Sequence, residues 1–399
     1  MKEKELIYKI AQKVADKGGR MYFVGGMVRD EVMNDFLKTN YTNKDLDTET
    51  FGISVAEFKE ILSEFGSLNL VGESFGVFKI DNYDIDFAMP RTERQTGAKH
   101  IDFEVSVNPF LSLEEATLRR DFTINQLMKD ILSGEIIDCH SGIADIKRKI
   151  IRHINDETFQ EDALRVFRAA QFSARFNFEI SKKTLELSKE IDVSNISFER
   201  VDMEFYKALT KSEKPSIFFK QLKAMNHLEE FFTFNKQVEE NLELLDKAKQ
   251  FSFRTKYSRD FLLTILFYKV EPVLALESIT KLTNHNVTLD MVYEFTNNIN
   301  NFLNISTLSP KNRRLFLQKL KFLNEMFLYG ELLGMDTKYL EEIREDYEKV
   351  AKVPLIRGRN LISLGFQPSP RFTDLLKLAN ELQCEGKTKE EILKELVKH

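Results

Sequence analysis

A short apolar run that ends in two glycines is the feature that most constrains this fold. Within Met21-Tyr-Phe-Val-Gly-Gly-Met-Val-Arg-Asp30, the residues Met21–Val24 have the pattern of a buried strand. Gly25-Gly26 then ends the strand in a turn that needs unusual backbone freedom. A helix that begins after this turn would direct free backbone N–H groups and Arg29 toward the space above the glycines. This arrangement favours a phosphate chain as ligand.

Two aspartates follow in the segment Asp45-Leu-Asp47, fifteen residues after Asp30. Because side chains alternate along a strand, both carboxylates are expected on one face, with Leu46 in the core. Two such carboxylates can share a pair of metal ions separated by about 3.5–4 Å. A phosphate site beside a metal pair indicates nucleotidyl transfer.

Each of these patterns also has an ordinary structural explanation. A Gly-Gly pair after a strand is commonly only a turn, and Asp-x-Asp is common on solvated strand edges. Their order and spacing favour the catalytic interpretation, and motifs further along the chain decide between the two.

Length and charge limit the classes of protein that fit. The 399 residues are enough for roughly two to four domains, and the hydrophobic and charged shares, 42% and 30%, are those of an ordinary globular protein. A net charge of −5 argues against a protein that coats nucleic acid indiscriminately, but it allows local basic surfaces. Two basic clusters could contact phosphates or could simply be solvated helix faces: Lys147-Arg-Lys149 with Arg152 and His153, and Lys311-Asn-Arg-Arg314 with Lys319 and Lys321.

Cysteine and histidine usage narrows the classes further. Cys139 and Cys384 have no paired spacing, which excludes a disulfide framework or a cysteine zinc site and fits a reducing cytoplasm. None of the six histidines is followed by Asp, so a His-Asp phosphohydrolase module is not expected. The N-terminus is expected to open an amphipathic helix, and the apolar run Phe261–Tyr268 is too short to span a bilayer.

Hydrophobic periodicity divides the chain into two parts. Residues 1–138 alternate helix and strand patterns, which predicts a compact α/β domain with a mixed sheet. The helix after Ser54 is expected to stop at Gly66, and after residue 140 the pattern predicts helices, with starts at Ser309-Pro310 and at the capping box Thr388-Lys-Glu-Glu391. The predicted strands are Met21–Val24, Asp45–Phe51, Val77–Ile80, Tyr83–Ala88 and Glu135–Ile137.

Three later motifs carry charged residues that suit a nucleotide site. Leu118-Arg-Arg-Asp-Phe-Thr-Ile-Asn125 has an arginine pair that could neutralise phosphate, and Asp138-Cys-His-Ser-Gly-Ile-Ala-Asp145 predicts a turn with a helix beginning near Ile143. In the segment 161–176, Asp162, Arg165 and Arg168 are spaced three apart and are expected on one helix face, where they could also form simple ion pairs.

An Asp beside an Arg offers a hydrogen-bond acceptor next to a donor. That order fits the amino group and ring nitrogen of cytosine or adenine, whereas guanine and uracil present the reverse order. One such pair could therefore accept C and A and reject G and U.

Taken together, these motifs resemble the class II tRNA nucleotidyltransferases, the bacterial and eukaryotic CCA-adding enzymes, with the related bacterial poly(A) polymerases. GGMVRD, DLD, RRDFTIN, the D-x3-G-x2-D turn and the ED-x2-R segment occur in the order and spacing of that family. Further similar segments extend the resemblance over nearly the whole chain: Phe75-Gly-Val77, Arg91-Thr-Glu-Arg94, Ile196-Ser-Phe-Glu-Arg200, Gly358-Arg-Asn-Leu361 and Gly365-Phe-Gln-Pro368.

The resemblance implies an α+β protein of elongated shape. A polymerase-beta-like nucleotidyltransferase head with a mixed sheet is followed by an all-helical neck, body and tail. The implied divisions are a catalytic head over 1–138, a neck with the base-template helix over 139–210, a body over 211–305 and a tRNA-binding tail over 306–399.

The resemblance also implies roles for particular residues. Asp45 and Asp47 would bind catalytic Mg²⁺, and Asp86 would be the third carboxylate, although Asp84 shares its strand face. The remaining implied nucleotide contacts are Gly25, Gly26 and Arg29 for the triphosphate, Arg120 for the incoming nucleotide, Asp162 and Arg165 for the base, and Arg168 near the phosphates.

Three positions depart from the family pattern. Gln171 stands where a basic residue is usual, so one phosphate contact would be missing or supplied by Arg175. Ala116 replaces a usual Asp, and Gln126 replaces a usual small residue. None of the three is predicted to touch the metal pair, so activity is still expected.

The expected activity is untemplated addition of CCA to the 3′ end of tRNA from CTP and ATP, with Mg²⁺ as cofactor and no obligate protein partner or membrane. Three alternatives stay open. The first is a poly(A) polymerase, and the second is a partial enzyme that adds only CC or only A. The third is an inactive RNA-binding protein on the same scaffold, which intact Asp45, Asp47 and Arg165 argue against.

Overall fold

A computed structural model describes residues 2–42, 45–69, 76–95, 103–232 and 235–399 of the chain. Phe75, part of one family-like segment, lies outside these ranges. The chain forms two compact units, Met1–Leu228 and Glu229–His399. The finer division into head, neck, body and tail stays a prediction.

The first unit contains the strands of the described chain and ten α-helices. Its strands are β1 (Arg20–Val24), β2 (Leu46–Phe51), β3 (Leu68–Asn69), β4 (Val77–Ile80), β5 (Ile85–Ala88), β6 (Arg91–Gln95), β7 (Phe103–Val107), β8 (Met128–Asp130), β9 (Ile136–Ile137), β10 (Ile150–Ile151) and β11 (Glu179–Ile180). Its helices are α1 (Lys2–Asp16), α2 (Gly26–Leu37), α3 (Val55–Ser63), α4 (Leu113–Leu118), α5 (Gly142–Arg148), α6 (Asp156–Glu161), α7 (Leu164–Phe176), α8 (Lys182–Lys189), α9 (Phe198–Lys211) and α10 (Ser216–Ala224).

The predicted mixed sheet is confirmed in the described residues, with strand order β3-β4-β5-β2-β1-β8-β9. β2 lies at its centre, parallel to β5 and antiparallel to β1. The five predicted strands all occur, some one or two residues shorter than expected. The pattern missed the β6–β7 hairpin and the three-residue strand β8, which is too short to show an alternation.

Two helices cover one face of this sheet and form the core there. Ile7, Ile10 and Val14 of α1 pack with Phe58 and its neighbours on α3 against apolar side chains of the strands. A capping box between Ser54 and Glu57 starts α3, which ends at Ser63, three residues before the expected glycine. Because this face is occupied by the core, polar side chains of β2 and β5 can point to the other face.

The region after residue 138 is less purely helical than predicted. β10 and β11 pair in parallel, a contact that joins residues 150–151 to 179–180. Strands of two residues carry no periodicity, so the sequence could not have indicated them. α7, α9 and α10 pack together nearby around buried phenylalanines, among them Phe205, Phe218 and Phe219.

The second unit is helical in its described residues. Its α-helices are α11 (Asn235–Lys249), α12 (Ser258–Ile265), α13 (Pro272–Leu282), α14 (Asn286–Leu303), α15 (Pro310–Leu317), α16 (Leu323–Leu332), α17 (Thr337–Val350), α18 (Gly358–Ser363), α19 (Pro370–Cys384) and α20 (Lys389–Leu396). The predicted starts are confirmed, since Ser309 caps α15 and Thr388 forms a capping box on α20. Within the described ranges, no helix has the length and apolar character needed to cross a membrane.

The basic cluster at residues 311–321 has an internal structural role. Lys311 forms ion pairs with Glu381 and Glu385 of the α19 region, and Arg314 forms a two-bond ion pair with Asp346 on α17. These contacts tie α15 to two neighbouring helices. The phosphate surface at this cluster stays a prediction, although acids distant in sequence pair with these two cations.

Gly142, the first residue of α5, packs closely against the rest of the first unit. Its backbone N–H donates to Asp138 Oδ1 at 2.7 Å, and a Cβ at this position would overlap the backbone carbonyl of Thr123. We expect Gly142→Ala to lower the free energy of unfolding of the first unit by about 3 kcal/mol, because the backbone must shift. Calorimetric unfolding measures this change. Gly358→Ala is the matched control, since its Cβ would make an ordinary 3.5 Å contact with the Phe372 ring.

Candidate active site

A cavity of about 480 Å³ opens on the polar face of the sheet in the first unit. It brings together nine of the ten residues that the sequence predicts for the site, all except Asp45. Six arginines and four aspartates line it, so its formal charge is positive. A cavity with this charge suits an anionic ligand that brings its own cations. The charged lining residues are Arg29, Asp47, Asp86, Arg91, Arg119, Arg120, Asp121, Asp162, Arg165 and Arg168.

The glycine turn forms one wall of the cavity. Gly25 has φ 72° and precedes α2, and Gly26 is the first residue of that helix. A Cβ on Gly25 would lie 3.5 Å from Asp47 Oδ2 and would need an unfavourable backbone conformation. The turn therefore lets the start of α2 lie close to the carboxylate, with the first backbone N–H groups of the helix near the cavity.

Asp47 and Asp86 form the acidic centre of the site. They are register partners on the parallel strands β2 and β5, so their side chains leave the same face of the sheet. Burial, together with the negative charges of Asp86 and Asp45, raises the pKa of Asp47. Asp45 itself is exposed and lies just before β2 instead of within it.

Asp86 and Asp84, the two candidates for the third carboxylate, differ in position. Asp86 lines the cavity, whereas Asp84 is exposed and precedes β5. Lys79 Nζ lies 2.7 Å from Asp86 Oδ1, so a cation already neutralises part of this charge. The geometry thus favours Asp86 over Asp84.

These carboxylates fit a divalent cation that is shared with a substrate. Within the described ranges, no three His, Cys, Asp or Glu side chains form a preformed metal cage. Mg²⁺ is usually held by one or two carboxylates together with substrate phosphates and waters, so a pair such as Asp47 and Asp86 is sufficient. Burial and then the neighbouring carboxylates raise the pKa of Asp47, and a bound cation would relieve the repulsion among these carboxylates.

The arginine pair after α4 is fixed by one buried acid. Glu49 Oε2 accepts from Arg120 at 2.6 Å, and its Oε1 accepts from Arg119 at 3.1 Å. Arg120 also donates to the backbone oxygen of Asn125 at 3.2 Å. The side chain of Glu49 is only 1% exposed. Sequence reasoning missed Glu49, although its position two residues after Asp47 on the same strand face was the available signal.

Arg29 makes several contacts within the protein in addition to lining the cavity. Its guanidinium donates to Asp30 at 2.8 Å and to Asn125 Oδ1 at 2.7 Å, and it lies 4.7 Å from the ring centroid of Phe176. Burial lowers the pKa of Arg29, with Asp30 opposing that effect. Arg29 lines the cavity, and these contacts give it a structural role there as well.

Asp121 connects the arginine motif to α7. Arg168 donates two hydrogen bonds to Asp121 Oδ2, at 2.8 and 2.5 Å, and Asn125 Nδ2 donates to Oδ1 at 2.9 Å. Burial alone would raise the pKa of Asp121, but Arg168 and the hydrogen bond from Asn125 hold it below its usual value. Asp121 and Asn125 are further residues that sequence reasoning did not assign.

The proposed base-reading residues do not share one continuous helix. α6 ends at Glu161, Asp162 has an extended backbone, and α7 begins at Leu164. The helical prediction through Asp162 was wrong because its side chain accepts from the Leu164 N–H at 3.2 Å, which breaks the helix. Arg200 of α9 donates to both oxygens of Asp162, at 3.0 and 2.8 Å.

Arg165 is oriented by backbone carbonyls. It donates to the carbonyl oxygen of Arg119 at 2.6 Å and to that of Thr158. A guanidinium has five N–H donors, so these two bonds leave three for a ligand. The site thus places Asp162 and Arg165 in one cavity with constrained orientations.

Two of the three residues that depart from the family pattern, Ala116 and Gln126, contact other residues of the first unit. Ala116 packs in an apolar cluster with Tyr22 and Met128. Gln126 donates to Asp138 Oδ1 at 2.5 Å and accepts from the Cys139 N–H at 3.3 Å, which stabilises the turn before α5.

Gln171 is 1% exposed. Arg175, the expected substitute for a basic residue at that position, lies 3.8 Å from Asp30 Oδ2 and has 19% of its side chain exposed.

The other basic cluster keeps an exposed part. Lys147, Arg148 and Lys149 are exposed, and Lys147 Nζ lies 3.9 Å from the centroid of the Phe36 ring. Arg152 pairs with Asp145, and His153 is buried against Thr184. Only residues 147–149 of this cluster therefore remain suited to a phosphate surface.

Comparisons with known proteins place this cavity in a recognisable fold. Residues 21–152 match the family described as the Poly A polymerase head domain. The chain is 36% identical over 216 residues to the Multifunctional CCA protein of Haemophilus ducreyi, covering 52% of this chain and 49% of that protein. It is also 36% identical over 220 residues to the Multifunctional CCA protein of Pasteurella multocida, covering 53% and 49%. The chain thus spans about half the length of the curated relatives that it matches.

Solved structures extend the likeness to the whole fold. The Bacillus stearothermophilus CCA-adding enzyme in complex with CTP has a TM-score of 0.75 at 20% identity, covering 98% of this chain and 96% of that one. The Thermotoga maritima CCA-adding enzyme complexed with tRNA has a TM-score of 0.72 at 20% identity, covering 99% and 94%. The chain therefore shares the fold of these CCA-adding enzymes, and residues 21–152 resemble the Poly A polymerase head domain.

The Asp121–Arg168 pair predicts a pH-dependent stability. Because the pKa of Asp121 is lowered in the folded protein, its stabilisation is complete above the unfolded value near 3.8 and is lost as the pH falls through the folded value. We expect Asp121→Asn to cost about 2 kcal/mol at pH 7, since it removes the charge-assisted hydrogen bonds that Arg168 donates to this largely buried acid.

Urea unfolding of both proteins from pH 7 downward measures this cost, which should begin to shrink as the pH approaches 4. Glu157→Gln on the exposed surface of α6 is the control, with little effect at any pH. A cost for Asp121→Asn that stays constant down to pH 3 would contradict the assignment.

Proposed function

We propose that this protein adds C, C and A to the 3′ end of tRNA from CTP and ATP, without a nucleic-acid template. The observation that carries the proposal is one cavity that combines the Asp47–Asp86 pair, several arginines and the base-reading residues Asp162 and Arg165. The Multifunctional CCA relatives, each matched over about half of this chain, and the fold of the whole chain support it. A tRNA substrate and two free cysteines fit a cytoplasmic location.

The terminal ribose hydroxyl of the RNA would attack the α-phosphate in line, and pyrophosphate would leave. Asp47, Asp86 and the nearby Asp45 would hold Mg²⁺ against the triphosphate. Bound Mg²⁺ supplies charge neutralisation at the α-phosphate and eases loss of the hydroxyl proton. Asp86, on the neighbouring strand, would accept that proton.

The arginines and the glycine turn would bind the rest of the nucleotide. The N–H groups at the start of α2 and the guanidinium groups of Arg120 and Arg168 would face the phosphates and stabilise developing charge. Their anchoring to Glu49 and Asp121 fixes them before substrate arrives, which reduces reorganisation during the reaction.

Asp162 and Arg165 would select the base. The Asp162 carboxylate would accept a hydrogen bond from the amino group of cytosine or adenine, and Arg165 would donate to the adjacent ring nitrogen. Carboxylate oxygens offer about four acceptor sites, so the contacts of Asp162 with Arg200 and Leu164 leave capacity for a base. Guanine and uracil would place a donor opposite Arg165 and an acceptor opposite Asp162.

A second candidate is a poly(A) polymerase, which the match of residues 21–152 to the Poly A polymerase head domain favours. The two functions differ in product. To separate them, the purified protein is incubated with Mg²⁺, four NTPs and a tRNA that lacks its 3′ CCA, and the RNA ends are sequenced.

A CCA end supports the proposal, a CC end identifies a partial enzyme, and a long A tail identifies a poly(A) polymerase. No extension by the wild type would contradict all three. Asp47→Ala, which should lose both C and A addition while still binding tRNA, separates chemistry at this site from a contaminating activity.

The two strand-neighbour aspartates give a matched test of the third carboxylate. We expect Asp86→Asn to lower the rate of single-nucleotide addition at least about 100-fold, because it removes a metal ligand and proton acceptor. Asp84→Asn should retain the wild-type rate, since Asp84 is exposed outside the cavity. Single-turnover kinetics measures both, and equal losses in the two variants would reject the assignment.

Base selection is tested at the two template residues. We expect Asp162→Ala and Arg165→Ala each to reduce discrimination between CTP and UTP by about tenfold or more, since a bidentate base contact contributes about 1–3 kcal/mol. Ratios of kcat/KM for the two nucleotides measure this. Gln160→Ala, an exposed position on α6, is the control. Unchanged rejection of UTP by both template variants would remove this role.

A further inference from the structure

Glu49 lies at the start of a chain of contacts that reaches both parts of the nucleotide site. It projects from β2 on the same face as Asp47, and its two carboxylate oxygens hold Arg119 and Arg120 separately. One residue thus joins the strand that carries the acidic centre to both arginines of the Arg119-Arg120-Asp121 motif.

The contacts continue from these arginines in two directions. Arg120, which Glu49 holds, also donates to the backbone oxygen of Asn125 and lines the cavity. Arg119, whose side chain Glu49 also holds, accepts a hydrogen bond from Arg165 at its backbone carbonyl oxygen, at 2.6 Å. The orientation of Arg165 therefore depends on a residue whose side chain Glu49 fixes.

Stability alone is a poor explanation for this arrangement. Burying a carboxylate and two guanidinium groups has a large desolvation cost, and apolar replacements of buried ion pairs are often neutral or stabilising. Glu49 is 1% exposed, Arg120 is 12% exposed and Arg119 is 28% exposed, so the desolvation cost falls mainly on Glu49 and Arg120. What the ion pairs provide is fixed geometry, because a carboxylate that binds two guanidinium groups restricts both.

We propose that Glu49 is a positioning residue that sets both nucleotide affinity and base selection. It acts on affinity through Arg120 and on selection through the carbonyl of Arg119 and then Arg165. This inference rests on the proposed function, and it adds a residue that connects the catalytic strand to the base-reading side chain.

The test compares Glu49→Gln, Glu49→Asp and the control Thr50→Val. Thr50 is the next residue on β2, points to the opposite face, is fully buried and has a hydroxyl with no hydrogen-bond partner in the described part of the chain. Its replacement by valine therefore changes the same strand without touching the cavity. The measured quantities are kcat and KM for CTP in single addition to tRNA lacking CCA, the CTP/UTP discrimination ratio, and the melting temperature.

We expect Glu49→Gln to raise the KM for CTP about tenfold and to lower the CTP/UTP discrimination about tenfold, since charge-assisted hydrogen bonds of this kind contribute roughly that factor or more. Glu49→Asp keeps the charge and should recover part of both effects. Thr50→Val should keep wild-type values. If Glu49→Gln does not fold, Arg119→Met serves instead and should lower discrimination more than it raises KM.

Two results would overturn the inference. A variant with a lower melting temperature but unchanged KM and discrimination would show that Glu49 only stabilises the fold. A lower KM would show that Glu49 competes with phosphate for Arg120. Calorimetric binding of CTP and UTP to the same variants keeps this test separate from the proposed function. If the wild type binds CTP but extends no RNA, the activity fails while the positioning role is still measured.

Discussion

The parallel pairing of β2 with β5 is the constraint on which the site depends. It sets Asp47 beside Asp86 on one face of the sheet, with strands about 4.8 Å apart. A slip of one residue would turn one of these carboxylates into the core and bring out an apolar neighbour. Two adjacent carboxylates repel, and burial and this repulsion raise the pKa of Asp47. Two carboxylates held side by side contribute nothing favourable to packing, which supports the interpretation of this pair as part of a binding site.

The arginines opposite this acidic centre are held by acids of their own. Glu49 binds Arg119 and Arg120, Asp121 binds Arg168, and Asp30 binds Arg29. Each acid reduces the local excess of positive charge and restricts the rotation of a long side chain. A lysine in place of one of these arginines would lack the planar fork that binds an acid on one side and a ligand on another. The cavity therefore combines a closely spaced aspartate pair with arginines that are already held by acids.

Much of this organisation could be predicted from local patterns. The strand that precedes Gly25 and the capping boxes at Ser54 and Thr388 depend on neighbouring residues, so the sequence indicates them directly. The contacts of Arg200 with Asp162 and of Arg314 with Asp346 join residues 38 and 32 positions apart, and no periodicity reports such pairs. Asp162 shows a second limit, because its helical spacing was real but its side chain prefers the backbone N–H of Leu164. Prediction from sequence thus fails in two ways: helical spacing misassigns Asp162, and long-range pairs such as Arg314 with Asp346 leave no periodic signal.

Gln171 illustrates how a departure from a family pattern can follow from its electrostatic surroundings. Arg175, one turn further along α7, lies 3.8 Å from Asp30 Oδ2, and Asp30 also binds Arg29. The pKa of Arg29 is lowered mainly by burial and also by the charge of Arg175. A cation at position 171, which is 1% exposed and four residues before Arg175, would add a desolvation cost and a like-charge repulsion. A neutral glutamine avoids both, and the proposed phosphate contacts Arg120 and Arg168 are each held by an acid, Glu49 and Asp121.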